Sequence, residues 1–321
     1  MRITVLICTR NRAAMLRDTL NTLLSPANTD SFDWELLVVD NASTDRTAAV
    51  CRDFQKKFPN HVRSMVETKM GKSNALNTGI AAARGELLAF TDDDVFCDPD
   101  YLPQIRKLFA ETGADAAQGR VFLDYEGGWP VWLDNRLALM VGVRDCGEEV
   151  TELDGTLFGT NMIVSSEVFK KIGGFSPDLG PGGVGMYEDT EISLRMRRSG
   201  FRLIYAPQIL VRHQLARNRL TKRFIRRRFF QHGRATAYTQ ALPVSAPRFG
   251  LYVAKELVQG ELQAIWQRYR GRPAAALRRE CEALRQAGFF WQHVCFRRGV
   301  PSRLSVGALP SGARETSSHP S

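Results

Sequence analysis

The sequence predicts an α/β fold: a mostly parallel central sheet flanked by helices, with a helical extension at the C-terminal end. Three observations carry that prediction. Short, nearly continuous apolar runs alternate with helix-period segments through the first 125 residues, as expected for strands covered on both faces. Several of those runs stop abruptly on polar or acidic residues, as strands do where a parallel sheet opens to a ligand. Beyond residue 213 the strand-like runs give way to helical patterns that continue to about residue 298.

The elements follow in order. "ITVLICT" (3–9) reads as the first strand and 12–24 as a helix. "ELLVVDN" (35–41) is the second strand, followed by a helix whose N-cap is Ser43 or Thr44. "VRSMVET" (62–68) is the third strand, and "GKSNALNTGIAAARG" (71–85) is a helix closed by Gly85. "ELLAFT" (86–91) is the fourth strand. Asp98 and Pro99 suit the N-cap and first position of the next helix. "AAQGRVFLD" (116–124) is a further strand, and "EGGWPVWLDN" (126–135) is irregular. Residues 159–175 read as strand, helix and glycine stop, and 176–189 as a Gly/Pro-rich loop. A helix over 189–200 ends at Gly200, and 201–213 reads as strand, turn, strand.

The chain has 321 residues, enough for one large α/β domain or two small ones. No run approaches the roughly 18 apolar residues of a membrane span, and the first residues lack a signal-peptide core and cleavage site. The expectation is a cytoplasmic protein. Six cysteines, at 8, 51, 97, 146, 281 and 295, show no CxxC pairing, so reduced thiols are expected and a zinc site is not. The net charge of +10 is unevenly spread. Residues 1–212 sum to −5 and residues 213–300 to +14, so the two parts face different partners.

The chemistry concentrates where "LLAFT" meets Asp92, Asp93 and Asp94. Three adjacent carboxylates repel one another, and clustered carboxylates ending a strand suit a hard divalent cation with diphosphate oxygens completing its shell. The plain alternative is a solvated acidic turn. Asp40 ends the second strand, where Asp-Asn is also good turn chemistry. Lys72 starts a helix, where its charge opposes the dipole but would suit a phosphate.

"VLICTRNRAAMLRDTLNTLL", "LLVVDNASTDRT", "GKSNALNTGIAAARGELLAFTDDDV" and "YEDTEISLRMRRSGFRLIYAPQILVRH" together resemble the family 2 glycosyltransferases. The resemblance runs over residues 3–213 and implies a Rossmann-like fold of the GT-A type. It implies a catalytic domain over 1–213, with a nucleotide-sugar half to about 125 and an acceptor half over 126–213. A basic helical extension over 214–300 and a disordered tail over 301–321 complete the expected organisation. By the same resemblance Thr9, Arg12, Asp40, Lys72 and Asp92 approach the nucleotide. Asp94, Asp92 and His213 hold Mg²⁺ or Mn²⁺, and Asp93 fills a variable middle position. Asp189 is the expected catalytic base of an inverting displacement, with Glu188 beside it. His213 also reads as a structural histidine, and "EDTE" as an acidic first helical turn. Arg212 would crowd a cation unless strand alternation turns it away. The donor expected is a nucleotide-sugar, UDP-linked, and the acceptor an unidentified glycan, lipid-linked or small molecule in polysaccharide or glycolipid synthesis.

Two other classes stay open: a sugar-nucleotide nucleotidyltransferase, and a non-catalytic nucleotide- or carbohydrate-binding protein. The first would want a glycine-rich loop after the first strand, and "TRNRAAML" has no glycine. The 180–187 loop reads as a lid or a plain connection, and Trp129 and Trp132 as sugar-stacking faces or core. "RNRLTKRFIRRRFFQHGR" (217–234) has three readings: a basic helix beside the acidic half, an anionic-membrane contact at the inner face, or a nucleic-acid site. No reader motif accompanies the charge, so nucleic acid is not expected.

Overall fold

The computed structural model describes residues 1–29, 33–124 and 128–295. The first half alternates as its apolar runs demand: β1 (Ile3–Thr9), α1 (Ala13–Leu23), α2 (Pro26–Thr29), β2 (Trp34–Asp40), α3 (Thr47–Lys57), β3 (Val62–Val66), α4 (Lys72–Ala82) and β4 (Leu87–Thr91). Then come β5 (Val95–Cys97), α5 (Tyr101–Thr112), β6 (Ala116–Asp124), α6 (Asn135–Ala138), β7 (Thr151–Glu152), β8 (Asn161–Ser165) and α7 (Ser166–Ile172). The chain continues through α8 (Glu188–Arg198), β9 (Leu203–Gln214), α9 (Lys222–Thr236), α10 (Ala246–Tyr269) and α11 (Pro273–Cys295).

The strands form one sheet in the order β3-β2-β1-β4-β8-β6-β9-β5, with β7 on β9. The β3-β2-β1-β4 half is parallel, whereas β4–β8, β6–β8, β5–β9 and β7–β9 are antiparallel. The expected mostly parallel sheet is therefore mixed: the parallel character belongs to the first four strands and to β6–β9. Two apolar clusters cover its faces, one around Ile3, Leu16, Trp34 and Ile105, the other around Leu6, Phe90, Met162 and Tyr205.

Several boundaries move for local reasons. Helix α3 begins at Thr47 because Ser43 and Thr44 serve the β1–α1 loop instead. Asn11 N–H donates to Ser43 Oγ and Thr44 N–H to Asn11 Oδ1, while Asp45 accepts from Thr47 N–H at 2.9 Å. Helix α4 stops at Ala82, and Gly85 is needed for a different reason. A Cβ there would fall 2.4 Å from Thr4 N, so only glycine lets the chain cross β1. Helix α5 begins at Tyr101, after Asp100, because Cys97 and Asp98 are still bonded to β9. Residues 203–214 are one bulged strand, in which Gly119 pairs with Ala206 and Arg120 with Leu210, so Pro207 falls in the bulge where no ladder N–H is required.

The helical extension shares its core with the sheet domain. Leu215, Ile225 and Leu277 pack with Leu133, Leu137 and Val141, and partly buried Trp132 joins them. Trp129 is half exposed. Residues 125–127 and the tail expected over 301–321 lie outside the described residues. Helices α9 and α11 cross at glycines: a Cβ on Gly233 would sit 1.8 Å from Arg285 O, and one on Gly288 would sit 2.1 Å from Phe230 O. Gly233→Ala should therefore force the pair apart and cost about 2–3 kcal/mol of stability in urea denaturation. A loss below about 0.5 kcal/mol would show that the crossing is not close-packed.

Candidate active site

The parallel strands β1, β2 and β4 all end on the same edge of the sheet, with Thr9 opposite Asp40 and Ile7 opposite Thr91. Above that edge lies a cleft of about 980 Å³, lined from the parallel half, the 139–144 and 155–160 segments, the start of α8, and α9. It gathers Thr9, Arg12, Lys72, Asp92, Asp94, Glu188, Asp189 and His213, eight of the nine residues expected from the sequence. The ninth is Asp40. Its carboxylate is buried, accepts the Ser43 N–H at 2.9 Å, and is not among the groups lining the cleft. The turn chemistry of Asp-Asn has claimed it. Its neighbour Asn41 does line the cleft, and accepts Gly71 N–H while donating to the Glu67 and Lys69 carbonyls.

The three adjacent aspartates all have cationic partners, and Asp93 and Asp94 share Arg12. Asp92 takes Lys72 Nζ at 2.6 Å and the Thr160 hydroxyl at 3.0 Å. Asp93 is buried and takes Thr9 Oγ1 at 2.7 Å and Arg12 Nη1 at 2.7 Å. Asp94 is buried as well, and meets Arg12 at 2.6 Å, Arg219 at 3.4 Å and His213 Nε2 at 3.3 Å. Burial works against every one of these charges. At Asp94 the His213 hydrogen bond and the charges of His213, Arg12 and Arg219 outweigh burial and hold the carboxyl below its usual range. Asp92 is also held low, against burial, mainly by Lys72. At Asp93 burial wins, reinforced by its two acidic neighbours, and the carboxyl is pushed up. Asp93 is thus the acid that anchors Arg12 and Thr9 beneath the cleft.

His213 reaches the cluster because β5 pairs antiparallel with β9, placing Val95 opposite His213 and bonding Gln214 N–H to Asp94 O at 2.8 Å. Strand alternation turns Arg212 the other way, exposed and 3.6 Å from Asp98, so it does not crowd the cleft. Among the described residues no three His, Cys, Asp or Glu side chains form a ready-made metal cluster. The Asp94–His213 pair nonetheless fits a divalent cation. Ligand atoms on adjacent corners of an octahedron with ~2.1 Å bonds lie about 3 Å apart, close to the 3.3 Å found between Asp94 Oδ1 and His213 Nε2. Cations of this kind take one or two carboxylates from the protein and draw the rest of their shell from phosphate and water.

The expected base stands at the start of α8. Asp189 Oδ2 accepts Gly159 N–H at 3.2 Å and Oδ1 accepts Thr190 N–H at 2.7 Å, so the carboxylate is oriented by backbone on both sides. Tyr187, just before the helix, adopts φ +86°, a left-handed conformation strained for an aromatic residue. The preceding loop is tied to α4. Lys72 N–H donates to Pro181 O at 2.8 Å, Ser73 Oγ to Leu179 O at 2.8 Å, and a Cβ on Gly182 would lie 2.5 Å from Gly71 Cα. Glu188 is buried beneath Gly180, 3.9 Å from Lys72. Burial and the charge of Asp189 push its carboxyl up to about 7, against the pull of Lys72 and Arg228.

The extension builds part of the cleft, as the reading of 217–234 as a basic helix beside the acidic half allowed, but the sequence did not say which of its residues reach it. Arg219, Phe224, Arg227, Arg228, Gln231 and His232 all line it. His232 stacks edge-on against Tyr187 at 5.3 Å, and burial with the Arg285 charge pushes it down to about 4, so it is neutral at pH 7. The basic 217–234 segment therefore turns several of its arginines toward the acidic cleft, and Arg226 pairs with Glu280 of α11. The signal was the charge asymmetry, which showed that two opposite surfaces existed without showing that they meet.

The sequence profile described as Glycosyl transferase family 2 matches residues 4–173, more than half of the chain. The chain belongs to that family. It is 33% identical over 109 residues to an uncharacterized glycosyltransferase of Nostoc, a match covering 34% of this chain and 33% of that protein. It is 25% identical over 223 residues to a glucosyl-dolichyl phosphate glucuronosyltransferase of Haloferax volcanii, covering 67% of this chain and 70% of that one. The fold resembles a mannosyltransferase from Pyrobaculum calidifontis solved with GDP-mannose and Mn²⁺, with TM-score 0.58 and 18% identity over 89% of this chain and 86% of that one. The fold is therefore of the GT-A type, as the family 2 motifs imply.

The raised Glu188 carboxyl has a stability consequence. The folded protein keeps a proton there that the unfolded chain releases above about pH 4.5, so stability falls as pH rises from about 4.5 through about 7. Glu188→Gln removes that slope. Between pH 5 and pH 7.5, wild type should lose on the order of 2 kcal/mol relative to the variant in chemical denaturation. Parallel stability profiles would place the Glu188 proton outside the folded state.

Proposed function

We propose that this protein transfers a glycosyl group from a nucleoside-diphosphate sugar to an acceptor hydroxyl, with inversion at the anomeric carbon. The observation that carries the reading is that Asp189 and the acidic cluster share one cleft and are fastened to adjacent residues. Gly159 N–H holds Asp189, and Thr160 Oγ1 holds Asp92. A base and a leaving-group site in fixed relation are what a single displacement requires.

In this reading the acceptor oxygen forms its bond to the sugar C1 as the C1–O bond to the diphosphate breaks. Asp189 takes the acceptor proton at a carboxylate oxygen as the new bond forms, since a neutral hydroxyl is a poor nucleophile. Lys72, Arg12 and Arg219 are among the cations that line the cleft and would meet the negatively charged donor, and Thr9 and Asn41 line it where this reading puts the nucleotide. A divalent cation, Mg²⁺ or Mn²⁺, held by Asp94 and His213 with Asp92 nearby, supplies positive charge against the departing diphosphate when bound. Glu188, its carboxyl pushed up to about 7, lies against Gly180 of the preceding loop. A UDP-linked donor and a lipid-linked acceptor are the finer assignments. The acceptor is supported by the dolichyl phosphate named for the Haloferax relative, while the GDP-mannose of the Pyrobaculum structure keeps guanine donors in the comparison.

Asp189→Asn should lower turnover by at least about 100-fold while leaving donor affinity within a few-fold. Near-wild-type turnover would remove Asp189 from the chemistry. Asp94→Ala should abolish the Mn²⁺-dependent part of nucleotide binding in calorimetry, and an unchanged Mn²⁺ dependence would overturn the assignment of Asp94. Release of UDP or GDP from a panel of sugar nucleotides then identifies the donor.

A further inference from the structure

Cations outnumber acids in the cleft: among the described residues, seven Lys and Arg line it against five Asp and Glu. A nucleoside-diphosphate sugar brings about two negative charges, and a divalent cation cancels them, so a loaded donor side leaves that excess in place. Arg12, Lys72 and Arg219 are already paired with the aspartate cluster. Arg10 rests on Met70 Sδ, Arg144 lies over the Phe158 ring at 5.2 Å, and Arg227 is exposed. Arg228 has none of these arrangements. It is half-buried, and among the described residues no carboxylate forms an ion pair with it. Its guanidinium donates only to neutral carbonyls, from Nε to Met140 O at 3.3 Å and from Nη1 to Gly185 O at 3.4 Å. Both bonds are long, and Nη2 has no acceptor among the described residues. Burial lowers its pKa by more than the nearby Glu188 and Asp189 restore. A charge held from water on these terms is costly unless a ligand completes it.

The position of Arg228 says which ligand. Phe224, Arg228 and His232 are spaced four residues apart and share the face of α9 that lines the cleft. Glu188 and Asp189 act on Arg228 more strongly than Asp92 does. Arg228 therefore belongs to the Asp189 end of the cleft rather than to the aspartate cluster.

We propose that Arg228, with Arg227 beside it, binds a phosphate group carried by the acceptor, next to the hydroxyl whose proton Asp189 takes. The inference rests on the transferase reading and deepens it, because it makes the acceptor an acidic molecule. A phosphate monoester carries about −1.5 to −2 at pH 7, which matches the cationic excess. Its oxygens also fit the two-pronged guanidinium. A neutral acceptor would leave Arg228 without a counter-ion in the loaded enzyme.

The probe is inorganic phosphate, titrated by calorimetry into the full chain saturated with Mg²⁺ and UDP or GDP, whichever it binds. Wild type should bind one phosphate without releasing the nucleotide. Arg228→Gln should weaken that binding at least about tenfold and leave nucleotide affinity within a few-fold. Arg228→Lys keeps the charge but not the fork, and should recover only part of the loss. Arg227→Gln, at an exposed position that should keep the wild-type melting curve, should weaken phosphate by a few-fold and serves if Arg228→Gln does not fold. The proposal is overturned if phosphate does not bind while nucleotide is held, or binds only by displacing it. It is equally overturned if Arg228→Gln binds phosphate like wild type, or loses nucleotide affinity tenfold, which would assign Arg228 to the diphosphate. Asp189→Asn separates this inference from the transferase reading: it should still bind phosphate, and its turnover alone reports on the base.

Discussion

Three consecutive carboxylates at the end of a buried strand can be tolerated only if positive charge is brought to them. Asp93 and Asp94 are almost fully shielded from water, where unpaired charges are most costly. The compensating groups come from four separate places: Arg12 before α1, Lys72 at the start of α4, His213 on β9 and Arg219 before α9. The parallel half, the antiparallel half and the helical extension therefore meet at one point, and the sheet order is what brings them there. Had β9 paired elsewhere than beside β5, His213 and Arg219 would not reach Asp94.

The same constraint explains the uneven charge of the chain. A negative sheet domain and a strongly positive extension look like parts with separate partners, yet the extension supplies one wall of the cleft through Arg219, Arg227 and Arg228. Arg228 is half-buried near Glu188 and Asp189, and burial lowers its pKa while those carboxylates raise it. Most of the rest of the positive charge also lies on α9, through Lys222, Arg223, Arg226 and Arg234, because acids offset nearly all the cations of α10 and α11. The division expected at residue 213 is therefore one of sequence character, not of packing, since Leu215 and Ile225 share a core with Leu137 and Val141.

Much of this was legible in the sequence because buried parallel strands leave an unambiguous apolar signature. β1, β2 and β4 appear within a residue or so of their expected limits, and Asp92–Asp94, Lys72, Glu188 and Asp189 all converge. The errors have a common physical origin in competition for local hydrogen bonds. Ser43 and Thr44 looked like helix caps, but Asn11 takes them. Gly85 looked like a helix stop, but the crossing of Thr4 requires it. The mixed character of the sheet was hidden because strand direction leaves no mark in composition, and the bulge that keeps 203–214 in one strand is a feature of pairing. The contribution of α9 to the cleft depends on long-range packing, which periodicity does not report.

The coupling between the two ends of the cleft follows from how Lys72 is held. Its side chain neutralises Asp92, its backbone N–H bonds Pro181, and its charge lies 3.9 Å from Glu188. The loop over 180–187 rests on Gly71 so closely that a Cβ on Gly182 would fall 2.5 Å from Gly71 Cα. Lys72, the loop and the start of α8 are therefore packed together. Any ligand that brings positive charge to Asp92 competes with Lys72 for it, and any ligand that brings negative charge draws Lys72 away from Asp92 and Glu188. Either change alters the field at the Glu188–Asp189 pair, whose proton affinity is already balanced between burial and Lys72. The proton affinity of Glu188 thus depends in part on what occupies the Asp92 end of the cleft, and the single lysine at the head of α4 is the element that connects them.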